Sequence, residues 1–203
     1  MLAIIDYQMG NVGSLQNALN LLGAKALITN KSKDIKRSTH IFLPGVGAFG
    51  EGIKKLKDLG LIKILEEEVF GQKKPFLGIC LGMQLLGEEG QEDGPNPGLG
   101  WIKGKTKFLN ISDKIYRLPH IGWNDVQIKK SSPIFDSITS PTFYFVHSYF
   151  LLPEENELVT ATCTYGKRFP VAIQKNNIFG VQFHPEKSQK DGLKLLKNFL
   201  SLT

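Results

Sequence analysis

Phe76-Leu77-Gly78-Ile79-Cys80-Leu81-Gly82-Met83-Gln84 reads as an apolar strand that turns sharply into a helix, with a cysteine at the turn. In such a nucleophile elbow the residue at the turn is forced into a strained backbone conformation that lifts its side chain out of the sheet. The residues two positions to either side must be small for strand and helix to approach, and here they are Gly78 and Gly82. The thiol of Cys80 is expected at a helix N-terminus, where the dipole favours the thiolate. The backbone N–H of Leu81 can serve there as an oxyanion donor. Read in isolation, the same stretch would also suit a buried cysteine at a strand end.

Working outward, the elbow strand, Pro75 to Ile79, is the fourth of a series. Leu2 to Ile5 is a compact apolar run ended by Asp6, and Ala26 to Thr29 and His40 to Leu43 follow. Between them, Ser14 is expected to cap a helix that runs to Leu22 and stops at Gly23. Helical patterns cover Glu51 to Leu59 and Leu61 to Phe70. Strands alternating with helices imply βαβ crossovers, hence an α/β fold: an open, mainly parallel sheet flanked by helices on both faces. After Gly87 the texture changes. A Gly/Pro/acid loop, Glu88 to Gly100, precedes short strands around Trp101–Phe108, Val126–Ile128, Thr142–Leu152, Leu158–Thr164, Pro170–Gln174 and Ile178–Phe183. These add antiparallel strands in the C-terminal half. A closing helix, Ser188 to Leu200, presents Leu193, Leu196 and Leu200 on one face, with Ser188 and Asp191 as a capping pair. There are no repeats and no linker, so residues 1–203 are expected to form a single domain.

Composition narrows the function classes. At 203 residues, 41% hydrophobic and 22% charged, the chain has the profile of an ordinary globular protein that needs no disulfide or metal to fold. No apolar run reaches the ~18 residues of a membrane span, and the first residues lack the basic n-region of a signal peptide. The net charge is +6, but the only arginines are Arg37, Arg117 and Arg168, and the lysines are scattered without interleaved aromatics. That is a solvated surface and not a nucleic-acid interface. Two cysteines, Cys80 and Cys163, without an export signal point to free thiols in a reducing cytoplasm. Cys163, in a strand-like run with no histidine nearby, reads as core. No CxxC or His/Cys ligand spacing occurs, so neither metal nor cofactor is expected.

A thiolate nucleophile needs a base, and the base an orienting group. Among four histidines, only His184, in Val181-Gln182-Phe183-His184-Pro185-Glu186, has a carboxylate two residues on. In extended chain positions i and i+2 point the same way, so Glu186 can accept the second ring N–H of His184. The three form a candidate Cys80–His184–Glu186 triad: nucleophile, proton shuttle and orienting carboxylate. Pro44-Gly45-Val46-Gly47 follows the third strand, and its glycines allow a backbone N–H to approach a ligand at the C-terminal edge of a parallel sheet. Gly10-Asn11-Val12-Gly13 matches no complete phosphate-binding pattern, and His40 reads as structural.

The elbow together with His184-Pro185-Glu186 resembles the class I (triad) glutamine amidotransferases, and the resemblance spans the whole chain. It implies hydrolysis of glutamine through a Cys80 thioester, with the ammonia handed to a synthase. Three further motifs are similar to the glutaminase subunits of imidazole glycerol phosphate synthase, which serve histidine biosynthesis: Pro44 to Gly52, Leu118-Pro119-His120-Ile121-Gly122-Trp123-Asn124, and Tyr144-Phe145-Val146-His147-Ser148-Tyr149. By that resemblance Gly47, Gln84, Ser148 and Tyr149 hold glutamine, and the Val46–Gly47 backbone with Leu81 forms the oxyanion hole. Asn11, Trp123, Tyr144 and Lys187 face the partner, a (βα)8-barrel cyclase subunit, along the ammonia route. The resemblance also implies a glutaminase nearly idle until the partner binds its nucleotide, and a peptide flip in Gly45–Gly47 is the expected switch. Trp123 and Tyr144 would also suit core aromatics, Lys187 a solvated charge and Gln84 a helix-surface amide. The rival readings are the glutaminase of pyridoxal phosphate synthesis, a non-catalytic binding module of the same fold, and a cysteine peptidase of related fold.

Overall fold

The structure, a computed structural model, describes residues 1–111 and 115–203. Its frame is a nine-stranded sheet in the order β2-β1-β3-β4-β13-β12-β11-β8-β9. β1 (Leu2–Ile5), β2 (Ala26–Thr29), β3 (His40–Gly45), β4 (Phe76–Cys80) and β13 (Ile178–Val181) run parallel. β12 (Lys167–Lys175), β11 (Val159–Tyr165), β8 (His120–Ile128) and β9 (Thr142–His147) extend the sheet antiparallel. A second sheet, in the order β10-β7-β5-β6, is built from β5 (Glu89–Gly90), β6 (Asn96–Pro97), β7 (Gly104–Phe108) and β10 (Tyr149–Pro153).

Apolar side chains cover both faces of the parallel half, as the unbroken apolar runs of its strands require. On β1, Leu2 and Ile4 join a core with α1 (Val12–Leu21) and α6 (Gln189–Leu200), whereas Ala3 and Ile5 face the opposite layer. That second layer contains α2 (Ser32–Arg37), α3 (Phe49–Asp58), α4 (Leu61–Glu66) and the single turn α5 (Leu81–Gln84). The expected α/β architecture is therefore present. Among the described residues no helix is long and apolar enough to cross a membrane.

Several local expectations change. α1 begins at Val12, and its N-cap is Asn11, whose Oδ1 accepts from the Ser14 N–H at 3.4 Å. Asn11 and Ser14 are both capping residue types, and the earlier one wins. α2 lies in a lysine-rich stretch with no apolar period. Ser188 stands at the N-cap position of α6, as expected, but its side chain makes no capping bond. Ser188 Oγ instead donates to the His184 carbonyl at 2.6 Å, and Asp191 accepts from the Thr142 N–H at 3.2 Å. The most deeply buried side chains of α6 are Leu195, Leu196 and Phe199, with Leu193 and Leu200 packed at the margin. The run Thr142 to Leu152 is two strands, β9 and β10, which part at Ser148 and join different sheets. The Glu88–Gly100 loop contains β5 and β6, Pro44-Gly45 continues β3, and β8 starts six residues before the expected Val126.

Candidate active site

Cys80 ends β4 with φ 54° and ψ −111°, the strained conformation expected of an elbow residue. The flanking glycines are required by contact. A Cβ on Gly78 would lie 2.6 Å from the Gly82 carbonyl oxygen, and one on Gly82 would overlap the carbonyl oxygen of Leu43 in the neighbouring strand. The following helix, α5, is only one turn long, so a macrodipole contributes little here and the sulfur depends on side-chain partners. Leu81 opens that turn, where a helix leaves its first N–H groups without intrahelical acceptors.

β13 runs parallel beside β4, and the chain beyond its end brings His184 to the sulfur. His184 Nδ1 lies 2.8 Å from Glu186 Oε1, and both side chains are only 4% exposed. The His184 backbone N–H donates to the Tyr144 carbonyl at 2.9 Å, which fixes this segment against β9. Burial alone would lower the imidazole pKa. The charge of Cys80 and then the Glu186 carboxylate more than reverse this, and the ring is raised to about 10. Nε2 is buried and makes no well-aligned hydrogen bond, so Cys80 acts on it mainly through charge. Cys80, His184 and Glu186 thus converge, but Glu186 reaches the imidazole from a 3-10 turn over Pro185–Lys187 and not along extended chain as expected.

A cavity of about 440 Å³ opens over Cys80, lined among others by Gly47, Gln84, Glu92, Val146 and Tyr149. Gln84 is buried, not at the helix surface: its Nε2 donates to the Tyr149 carbonyl at 2.9 Å and to Gln182 Oε1 at 3.1 Å. Ser148 and Tyr149 form the opposite wall, where the chain passes from one sheet to the other. Gly47 has φ 104°, open to glycine and strained for other residues. The Val46 N–H is turned away from the sulfur and donates to the Met9 carbonyl at 2.6 Å, so of the expected oxyanion donors this one is engaged elsewhere.

Two groups near Cys80, one lining the cavity and one buried behind the sulfur, escaped the sequence reading. Glu92 reaches in from the β5–β6 loop, its Oε2 accepting from the Phe49 N–H at 2.8 Å. The Tyr149 phenol pKa is raised by burial first and then by the charges of Glu92 and Asp93. Gln182, fully buried, donates from Nε2 to Cys80 Sγ at 3.7 Å. Its position two residues before His184 was the available signal.

Of the residues expected at a partner face, three come together. Trp123 and Tyr144 pair across β8 and β9 with ring centroids 6.0 Å apart, and Lys187 Nζ stands 5.8 Å from the Tyr144 centroid. Trp123 is 47% exposed and Ile121 is 58% exposed, so this face is apolar and open to solvent, and Trp123 is no core residue. Asn11 caps α1, a local task that partner contact does not require. Cys163 is core, as expected, and burial raises its thiol pKa to about 12.

Comparison with known proteins agrees with this geometry. The family model for glutamine amidotransferase class-I matches residues 3–202. Imidazole glycerol phosphate synthase subunit HisH 2 of Methanococcus maripaludis is 47% identical over 201 residues, covering 98% of each chain. Subunit HisH 1 of Campylobacter jejuni (strain RM1221) is 47% identical over 204 residues, covering 100% of both. A solved glutamine amidotransferase structure superposes with a TM-score of 0.76 at 18% identity, covering 98% of this chain and 96% of that one, a likeness of fold. The chain belongs to the class-I glutamine amidotransferases and, within them, to the HisH subunits of imidazole glycerol phosphate synthase.

Proposed function

We propose that this chain hydrolyses L-glutamine to L-glutamate and ammonia at Cys80 and passes the ammonia to a (βα)8-barrel cyclase subunit in a heterodimer of the cytoplasm. The observation that carries the reading is the convergence of His184 and Glu186 behind Cys80, which itself lines the cavity. The Cys80 thiolate attacks the side-chain carboxamide carbon, forming a C–S bond and placing negative charge on the oxygen. His184, held in orientation by Glu186, gives its Nε2 proton to the departing nitrogen as the C–N bond breaks. Ammonia leaves and a thioester remains. His184 then takes a proton from water, the resulting hydroxide opens the thioester, and glutamate departs while the sulfur returns to thiolate. Glu92 and Asp93 supply negative charge suited to the α-ammonium of the substrate, and Gln84, Ser148, Tyr149 and Gly47 form the walls that hold it.

The oxyanion is served first by the Leu81 N–H. Val46 would add a second donor once its peptide turns away from the Met9 carbonyl, and one such donor lowers the barrier by about 2.7–4 kcal/mol. A chain with that donor engaged elsewhere is slow. The partner is proposed to trigger the turn on docking against Trp123, Ile121, Tyr144 and Lys187, which lie beside the site on β8, β9 and the segment after His184. Enclosed transfer matters because ammonia in neutral water is mostly ammonium and no nucleophile. The test is glutamate release by this chain with and without the cyclase subunit and its nucleotide. Cys80→Ala is expected to abolish release, and the cyclase to accelerate it in the wild-type chain. Full-rate release by Cys80→Ala would overturn the mechanism.

A further inference from the structure

The polar groups around Cys80 form one hydrogen-bonded network whose donor and acceptor roles are all determined. The Tyr149 carbonyl, which can only accept, receives Gln84 Nε2 at 2.9 Å and His147 Nδ1 at 2.9 Å. His147 therefore holds its hydrogen on Nδ1 and presents a lone pair at Nε2. His120 Nδ1 lies 3.0 Å from that lone pair and must donate to it. The remaining nitrogen of His120 then accepts from Asn124 Nδ2 at 3.4 Å. On the other side, Gln84 Nε2 is fixed as a donor, so the Gln182 atom 3.1 Å from it is the oxygen. The Gln182 NH₂ is thereby left facing Cys80 Sγ at 3.7 Å. Burial lowers both imidazole pKa values, to about 4 for His120 and about 3 for His147, so both rings are neutral at pH 7.

We infer that Gln182 is a further catalytic residue, an amide donor aimed at the reacting sulfur, and that Gln84, His147 and His120 are the positioning residues that prevent its amide from turning over. This rests on the reading of Cys80 as nucleophile. The sulfur has two neighbours of opposite character. Its S–H can donate to the Val146 carbonyl at 3.8 Å, which favours the neutral thiol, whereas the Gln182 N–H favours the anion. A turned-over Gln182 amide would set a second oxygen against the sulfur and tip the balance to thiol. The network also reaches β8, whose outer face carries Ile121 and Trp123 while His120 and Asn124 lie on its inner side.

The experiment is the pH profile of Cys80 alkylation by iodoacetamide, followed by peptide-resolved mass spectrometry that separates Cys80 from Cys163. The titratable groups facing the sulfur are His184, with Glu186 behind it, and Tyr7; none of them is altered. Gln182→Met is expected to shift the half-reactive pH upward by about one unit. Gln84→Met, which keeps Gln182 but frees its amide, and His120→Phe, which keeps a ring at the stacking position on Phe145 and Tyr165, shift it the same way by less. Long-range nitrogen NMR of the wild-type chain should find His120 and His147 both protonated at Nδ1. Folded Gln182→Met and Gln84→Met that alkylate on the wild-type profile would overturn the inference, as would an Nε2–H tautomer at His147. Glutamate release by Cys80→Ala would instead sink the reading beneath it, so the two failures are distinct.

Discussion

Adding one methyl group at Gly82 tests the elbow more sharply than removing the thiol. A Cβ there overlaps the carbonyl oxygen of Leu43, with the Leu43 side chain at 3.4 Å. Leu43 lies in β3, which is hydrogen-bonded to β1 on one side and β4 on the other, so its carbonyl cannot withdraw without disturbing two ladders. Overpacking of this kind costs about 1–3 kcal/mol, and a rigid backbone partner places Gly82→Ala at the top of that range. For a chain of this size about 3 kcal/mol lowers the melting temperature by roughly 6–12 °C. The matched control is Gly13→Ala, in α1, where a Cβ meets nothing within 4 Å. There the lower chain entropy of alanine is worth about 0.5–1 kcal/mol of added stability. Urea titration with a shared slope reads both variants on one scale, and glutamate release reads the displacement of Cys80. If Gly82→Ala lies within 1 kcal/mol of wild type, or moves in the same direction as Gly13→Ala, the steric account of the elbow is wrong.

Three further outcomes are expected. Glu186→Gln removes the charge that helps hold the His184 pKa up and leaves only a neutral acceptor, so kcat should fall by about 10²–10⁴ with KM for glutamine little changed; an equal loss in KM would point to a binding role. Stability should fall as pH drops below about 6.5, because unfolded His120 and His147 bind protons that the folded forms, with pKa values of about 4 and 3, do not. The slope approaches 1.4 kcal/mol per pH unit for each ring, and urea midpoints flat between pH 7 and 5 would contradict it. Ser188→Ala strips partners from the Tyr144 N–H and the His184 carbonyl, so it should cost about 1–3 kcal/mol and slow glutamate release, both measurable on one preparation.

What could be read from the sequence was what short-range geometry fixes. Gly78, Cys80 and Gly82 declare the elbow because strand and helix must touch within five residues, and Glu186 declares its partner by closeness in sequence, although a 3-10 turn and not extended chain brings the two together. The His120–His147 contact depends on a register between β8 and β9, 27 residues apart in sequence, and nothing local announces it. The break at Ser148 carries no glycine or proline, so the chain's passage between sheets was invisible. Gln84 resembled a helix-surface amide because its partners, Tyr149 and Gln182, arrive from elements far along the chain. Val46 lines the cavity beside Cys80, but the direction of its N–H is a peptide rotation, and sequence does not encode which of two rotations is occupied.

The placement of β9 explains why fold and site cannot be separated. It is the last strand of the large sheet, and an edge strand left open invites pairing with another chain. Here the free edge is met in order along its length: Thr142 N–H donates to Asp191 of α6, Tyr144 N–H to Ser188, His184 N–H donates to the Tyr144 carbonyl, and the Val146 carbonyl faces Cys80 Sγ at 3.8 Å. The segment that covers the edge is the one carrying His184 and Glu186. The same bonds that blunt the edge therefore set the imidazole against the sulfur. The opposite edge of β9 pairs with β8, placing Tyr144 beside Trp123 and His147 beside His120. A slip of β9 by one residue would reverse every side chain on it, exchanging the solvent face for the buried network while breaking the cover that holds His184. The covering of the edge and the placing of His184 thus rest on one set of hydrogen bonds.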